Sequence, residues 1–175
     1  MVQLSEFPVL AGPMNWGVIT SQFTLEQVSN ETLISNISMI PTVGDRYVMM
    51  KLDTGAWELA GGTLKPNEAY LDALRREIRE ELGADLKSYT IIGHFRCSSK
   101  ADRPYLPHIP HPSFIRLVGY GEVTITGDPL NPPDGEKVVT VEVVTIHEAV
   151  RRFEQINRLD LAELYRLVHE IRMAV

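Results

Sequence analysis

The chain holds a single cysteine, Cys97, among its 175 residues. One thiol cannot form an intrachain disulfide or a zinc site built from several cysteines, so a reducing compartment fits and Cys97 reads as an inert thiol. No apolar run is long enough for a membrane span or a secretory core, and the first ten residues carry no Lys or Arg; the expected location is cytoplasmic. Basic residues are in deficit, 17 Lys and Arg against 23 Asp and Glu, which leaves a net charge of -6. An acidic surface neither displaces counterions from nucleic acid nor meets anionic lipid, so neither partner is expected. Phosphate-bearing small molecules remain open, provided metal ions stand between. Repeats and low-complexity segments are absent as well, and the length suits one core; a homodimer stays open.

What is present divides into an N-terminal extension, residues 1–30, and a domain, residues 31–175. In the extension the periodicity is poor; a short helix is expected near Thr24 to Val28, and no function is legible. From Leu33 the pattern is strand-like: Leu33 to Ile40, a turn at Val43-Gly44-Asp45, then Arg46 to Leu52 as a hairpin. Further strands are expected at Thr90 to Arg96, Phe114 to Val123 and Val138 to Ile146. The clearest helix runs from about Asn67 to Leu82, with Pro66 and Asn67 at its start and Gly83 as its stop; Leu71, Leu74, Ile78 and Leu82 form the stripe to be buried. Two amphipathic helices, His147 to Asn157 and Asp160 to about Ala174, close the chain. Strands interleaved with helices imply a layered α/β domain.

Glu77, Glu80 and Glu81 project from adjoining turns of the central helix into one arc beside the stripe. Glu77 and Glu81 are a like-charge i,i+4 pair costing about 0.2–0.5 kcal/mol, and all three face the negative end of the helix dipole. A bound divalent cation would reverse both penalties, because Mg²⁺ and Mn²⁺ prefer carboxylate oxygens. The competing reading is a solvated, salt-bridged face, since Arg75, Arg76 and Arg79 are interleaved with the acids.

The surrounding spacing decides between them. From Gly62 to Ala84, GTLKPNEAYLDALRREIREELGA resembles the Nudix box, G-x5-E-x7-R-E-U-x-E-E-x-G-U with U a bulky aliphatic, at Gly62, Glu68, Arg76, Glu77, Ile78, Glu80, Glu81 and Gly83. Ala84 is a weak final U, and Ala60 stands where the family's lead-in usually has proline. The resemblance implies a Nudix fold, a three-layer α/β/α sandwich around a mixed β-sheet, and a pyrophosphohydrolase that uses Mg²⁺ or Mn²⁺. It implies metal ligation by Glu77, Glu80, Glu81 and the Gly61 carbonyl, catalytic roles within that cluster, Glu68 as a helper, and Arg76 as the residue that orients a glutamate. The family often adds an acid from outside the box; Glu136, in Pro133-Asp134-Gly135-Glu136, is the candidate, with Asp134 and Glu142 as rivals and a plain turn residue as the alternative.

The substrate class is a small phosphoanhydride: a nucleoside triphosphate, a dinucleoside polyphosphate or a nucleotide sugar. None of the five histidines has a metal-ligand spacing on one helix. A proline-rich loop between Cys97 and Ser113 offers Arg96, Lys100 and Arg103 as substrate-binding cations, with a rigid surface connection as the alternative. A non-catalytic ligand-sensing or interaction domain on the same fold is the second functional reading, disfavoured by the intact box acids.

Overall fold

The computed structural model describes residues 1–175. Ten strands build a mixed sheet: β1 (Pro13–Trp16), β2 (Ile19–Thr24), β3 (Ile34–Val43), β4 (Arg46–Leu52), β5 (Trp57–Glu58), β6 (Ala60–Thr63), β7 (Ala84–Leu86), β8 (Thr90–Ser99), β9 (Ser113–Ile125) and β10 (Val138–Val144). The main order is β1-β2-β8-β9-β3-β4-β10, with β5 on β4, β6 on β3 and β7 on β9. Only β3 and β9 run parallel. They lie at the centre, and β3 is accordingly buried along most of its length rather than alternating. Ser35, Ser38 and Thr42 of β3 donate their hydroxyls to the carbonyls of Ile115, Leu117 and Gly121 on β9, so its polar side chains are satisfied inside the sheet.

Helices cover both faces, as the α/β/α sandwich requires. Helix α2 (Tyr70–Leu82) packs Ala73, Leu74, Ile78 and Leu82 against Ile37, Met39, Val48 and Leu117. The opposite face carries α1 (Pro8–Ala11), α3 (Ile146–Gln155) and α4 (Leu159–Met173) over Ile40, Tyr47, Met49 and Val118. Tyr165, fully buried in that second core, donates its hydroxyl to the Val48 carbonyl at 2.8 Å.

Four local expectations are corrected. Thr24 ends β2 and its Oγ1 accepts the Glu26 N–H at 3.1 Å, a side-chain turn that replaces the helix expected at Thr24 to Val28. Asn67 adopts φ +60°, so helix α2 starts at Tyr70 and not at Asn67. Leu71 is 37% exposed although its direction lies between those of Ile78 and Leu82 in a buried arc centred near Leu74, because it sits in the first turn of the helix. Glu77 and Glu81 fall within that arc, not beside it. Finally, β8 and β9 extend to Ser99 and from Ser113, which shortens the proline-rich loop to residues 100–112, while Arg96 lies in a strand as expected.

The N-terminal residues are tied to the last helix. Phe7 and Leu10 are fully buried in the core beneath α4, and the Glu163 carboxylate, itself buried, accepts the Val9 and Leu10 N–H groups at 3.2 and 2.9 Å. Those two donors belong to the first turn of α1, where no intrahelical acceptor exists. A charged residue on the outer side of α4 is therefore covered by the chain it caps. Glu163→Ala leaves two inward N–H groups unpaired and is expected to cost about 2 kcal/mol, a fall of roughly 4–8 °C in Tm. Limited proteolysis of the variant should cut first within residues 1–12; an unchanged melting curve and cleavage pattern would contradict the role.

Candidate active site

The acids of α2 rest on the bare backbone of β6. In the β3/β6 ladder Ser38 faces Gly61, and Gly61 has φ +137°, where a Cβ would stand 2.2 Å from the Ile37 carbonyl oxygen. A Cβ on Gly62 would stand 2.3 Å from Glu77 Oε1. Gly61 thus requires glycine for conformation and close approach to backbone, while at Gly62 the missing side chain leaves room for the Glu77 carboxylate in its present position. The Gly61 N–H donates to Glu81 Oε1 at 2.8 Å, which fixes the second acid against the same strand.

Arg76 gathers the others. Its Nε and Nη2 donate to the two oxygens of Glu68 at 2.9 and 2.8 Å, and Nη1 reaches Glu77 Oε1 at 2.8 Å and Glu80 Oε2 at 3.4 Å. Nη2 also donates to the Thr63 carbonyl at 3.3 Å, joining the helix to β6. The bidentate hydrogen bonds from Arg76 hold Glu68 below the usual carboxylate range. Glu77 is pushed up instead, mainly by burial, with Arg76 opposing and the charges of Glu80 and Glu68 adding to the rise. Burial pushes Glu81 far above its ordinary value, only partly offset by the Gly61 N–H, and Glu77, Glu136 and Glu80 push in the same direction. Glu136, exposed on the connection between β9 and β10, therefore stands within electrostatic reach of the Glu81 carboxyl.

The donor set suits a hard divalent ion: the carboxylates of Glu77, Glu80 and Glu81, with the single guanidinium of Arg76 shared among Glu68, Glu77 and Glu80. No three acidic, His or Cys side chains converge closely enough to coordinate one ion in the present rotamers, because Arg76 holds Glu77 and Glu80 while Glu81 turns to Gly61.

The loop cations are not gathered there together. Arg96 lies on β8, is ion-paired with Glu26, and lines a cavity with His94 and Gln22, apart from the box. Lys100 is exposed, and its backbone N–H is bonded to the Val18 carbonyl. Arg103 does reach a cavity of about 440 Å³, alongside Thr63, Tyr105 and His111. The loop is pinned to the box, since a His108 ring nitrogen is 2.7 Å from the Leu64 carbonyl oxygen.

Two residues escaped the sequence reading. Arg116 of β9 and Trp16 of β1 line a cleft of about 110 Å³ with Asn36, Glu58, Gly61 and Gly62, and Asn36 and Arg116 continue into the larger cavity. A signal for Arg116 existed: in the strand Phe114 to Val123 it shares a face with the core residue Val118.

The raised proton affinity of Glu81 has a definite sign. Its proton is held more tightly in the folded than the unfolded chain, so the group favours folding below the ordinary value of 4.5, and that contribution is lost as pH rises through the higher folded value. In excess chelator at neutral pH, Glu81→Gln, which keeps an acceptor for the Gly61 N–H, should raise Tm by several degrees over wild type. The gain should vanish near pH 4, and a Tm difference independent of pH would refute the assignment.

Comparison with known proteins agrees with this arrangement. The NUDIX domain family model matches residues 38–167, which is most of the chain. Nucleoside triphosphatase NudI of Salmonella arizonae is 43% identical over 53 residues, covering 27% of this chain and 38% of that protein; the same figures hold for the Salmonella newport protein. The match thus spans well under half of the curated relatives' length. A Bacillus subtilis pyrophosphohydrolase has the same fold at TM-score 0.54 and 15% identity over 71% of each chain. An ADP compounds hydrolase does so at TM-score 0.54 and 18% identity over 79% of this chain and 72% of its own. With the box acids seated on Gly61 and Gly62 and the family model spanning the sheet and its helices, the chain belongs to the Nudix family.

Proposed function

We propose that the protein is a divalent-metal-dependent pyrophosphohydrolase that cleaves a phosphoanhydride bond in a nucleoside diphosphate linked to another group: a nucleoside triphosphate, a dinucleoside polyphosphate or a nucleotide sugar. The observation that carries this reading is the crowding of Glu77, Glu80 and Glu81 against Gly61 and Gly62 with only Arg76 to balance them. Mg²⁺ or Mn²⁺, held by those three carboxylates and the Gly61 carbonyl, would neutralise phosphate charge and acidify a water molecule. Arg76 orients Glu77 and Glu80 and keeps Glu68 ionised behind them. The buried setting of Glu77 and Glu81 raises their proton affinity, which suits a group that accepts a proton from attacking water. Glu136, whose charge is felt at Glu81, is a further acid for that task. Which carboxylate receives the proton is assigned to the cluster as a whole.

The same reading puts the enzyme in the cytoplasm, acting on small molecules, with residues 1–30 as an extension packed on the hydrolase domain of residues 31–175. A buried lone Cys97 and the net charge of -6 support it. No helix is long and apolar enough to cross a membrane. Substrate choice is assigned to the loop over the larger cavity, through Arg103 and the neighbouring Lys100, and less to Arg96, which is already ion-paired with Glu26.

A panel of pyrophosphate-containing metabolites, with products identified by mass, tests the reading. Turnover should require Mg²⁺ or Mn²⁺, and Glu80→Gln or Glu81→Gln should lower kcat by about a hundredfold or more with the fold retained. Glu136→Gln should lower kcat more than it raises KM, and Asp134→Asn should do much less. Undiminished wild-type turnover in excess chelator would sink the metal assignment, while equal, near-wild-type rates for the two loop variants would return Glu136 to a turn role. For the loop, Arg103→Ala should change kcat/KM unequally among substrates; small uniform effects would leave it as scaffold.

A further inference from the structure

Arg116 is a cation without a counter-ion in a place where charge is expensive. It lies on the inner face of β9, half-buried, among Trp16, Phe95, Leu161 and Leu164. A guanidinium so placed normally finds a carboxylate. Arg116 takes part in no ion pair. The nearby acids are engaged elsewhere: Glu58 is 2.5 Å from Arg158, and Asp160 is 3.2 Å from the same arginine. Burial lowers the proton affinity of Arg116, with Cys97 and Glu58 only partly offsetting it and the Arg158 charge adding to it, yet an arginine so shifted stays charged at neutral pH.

What holds the guanidinium is an aromatic ring. Its carbon sits 5.0 Å from the centre of the Trp16 indole, and that indole is steadied by Phe95 in an edge-on contact at 5.2 Å. A cation–π contact of this kind holds the guanidinium carbon over the ring, and no guanidinium N–H group of Arg116 is engaged in a hydrogen bond within the protein. Those donors border the cleft that contains Gly61 and Gly62, the strand on which Glu77 and Glu81 rest, and the cleft opens past Asn36 into the cavity of about 440 Å³.

We infer that Arg116, held over the Trp16 ring, binds a phosphate of the substrate on the side away from the acid cluster, so that the N-terminal hairpin is a working wall of the substrate groove. The inference rests on the pyrophosphohydrolase reading and names the chemistry it adds: an anionic phosphate group presented to a flat, half-buried cation. One end of the phosphoanhydride would lie by the acids of α2, and the other would meet Arg116 with its organic group in the larger cavity. Trp16 is here a positioning residue, since it acts through Arg116.

The test uses the full chain and inorganic pyrophosphate in excess chelator, so that binding cannot draw on metal. Calorimetry should show wild-type binding; Arg116→Met, which keeps the apolar stem, should weaken it by about tenfold to a hundredfold, and Arg116→Lys should fall between. Trp16→Leu should weaken it less than Arg116→Met. With Trp57→Phe as background, Trp16 is the sole tryptophan, and its fluorescence should change on pyrophosphate addition. For whichever metabolite is turned over, Arg116→Met should raise KM by a similar factor and leave kcat within a few-fold. Absence of wild-type pyrophosphate binding, or Arg116→Met binding and KM equal to wild type in a protein with an unchanged melting curve, would overturn the inference. Arg116-dependent pyrophosphate binding with no metabolite turned over would instead defeat the enzymatic reading and leave the anion site standing.

Discussion

Arg76 holds Glu68 with two hydrogen bonds, Glu77 with one short one and Glu80 with one long one, and through Thr63 it also grips β6. Take that guanidinium away and several carboxylates face one another across a strand edge with no compensating charge. Partly buried acids so arranged would protonate or splay, and the register of α2 over Gly61 and Gly62 would lose its polar fastening. Yet Arg76 does not neutralise the group. Glu81 lies outside its reach and has only a backbone N–H for company. The cluster thus keeps more acids than Arg76 can pair, in a setting that resists their ionisation, and the proposed divalent ion would relieve that imbalance.

The apolar half of α2 makes this arrangement sustainable. Ala73, Leu74, Ile78 and Leu82 are essentially inaccessible to water and pack on the centre of the sheet. Apolar burial of that extent is worth about 1.5–3 kcal/mol for each large side chain, against about 0.2–0.5 kcal/mol for the like-charge i,i+4 pair. The helix therefore forms with its acids turned partly inward, because the hydrophobic term exceeds the electrostatic one severalfold. Gly83, in the left-handed region at φ +61°, then stops it.

The box was readable in advance because its chemistry is local. Glu68, Arg76, Glu77, Glu80 and Glu81 lie within a few turns of one another, and helical periodicity alone brings four of them to neighbouring positions. Pattern made the longer strands and the main helices legible as a layered α/β domain, whereas the mixed sheet with two covering layers came from the resemblance, and the short strands β1, β2, β5, β6 and β7 had no pattern that announced them. What periodicity could not show was the depth of Glu77 and Glu81, because the choice of Leu71 as a core residue turned the assumed buried arc away from them. Nor could it show that Thr24 would spend its hydroxyl on a turn, or that Glu163, four residues before Leu167 on an amphipathic helix, would lie inward against the N-terminal turn. Those outcomes depend on which distant segment arrives, and segment arrival is set by sheet order.

Arg116 shows the same limit in its sharpest form. Its surroundings are assembled from β1, β3, β5, β6 and α4, elements scattered from Trp16 to Leu164. The β2/β8 and β8/β9 registers set Phe23 beside Phe95 and Phe95 beside Arg116, and the β1/β2 hairpin swings Trp16 over the row. The N-terminal turn is fixed in turn by Glu163 on α4, and α4 supplies Leu161 and Leu164 to the cleft that Trp16 walls. Capping of α1 and placement of the indole are thus two ends of one connection across the same face of the sheet. The segment with the least periodicity in the chain is held in place at both ends, and the side chain it delivers is the one that lies against an unpaired guanidinium.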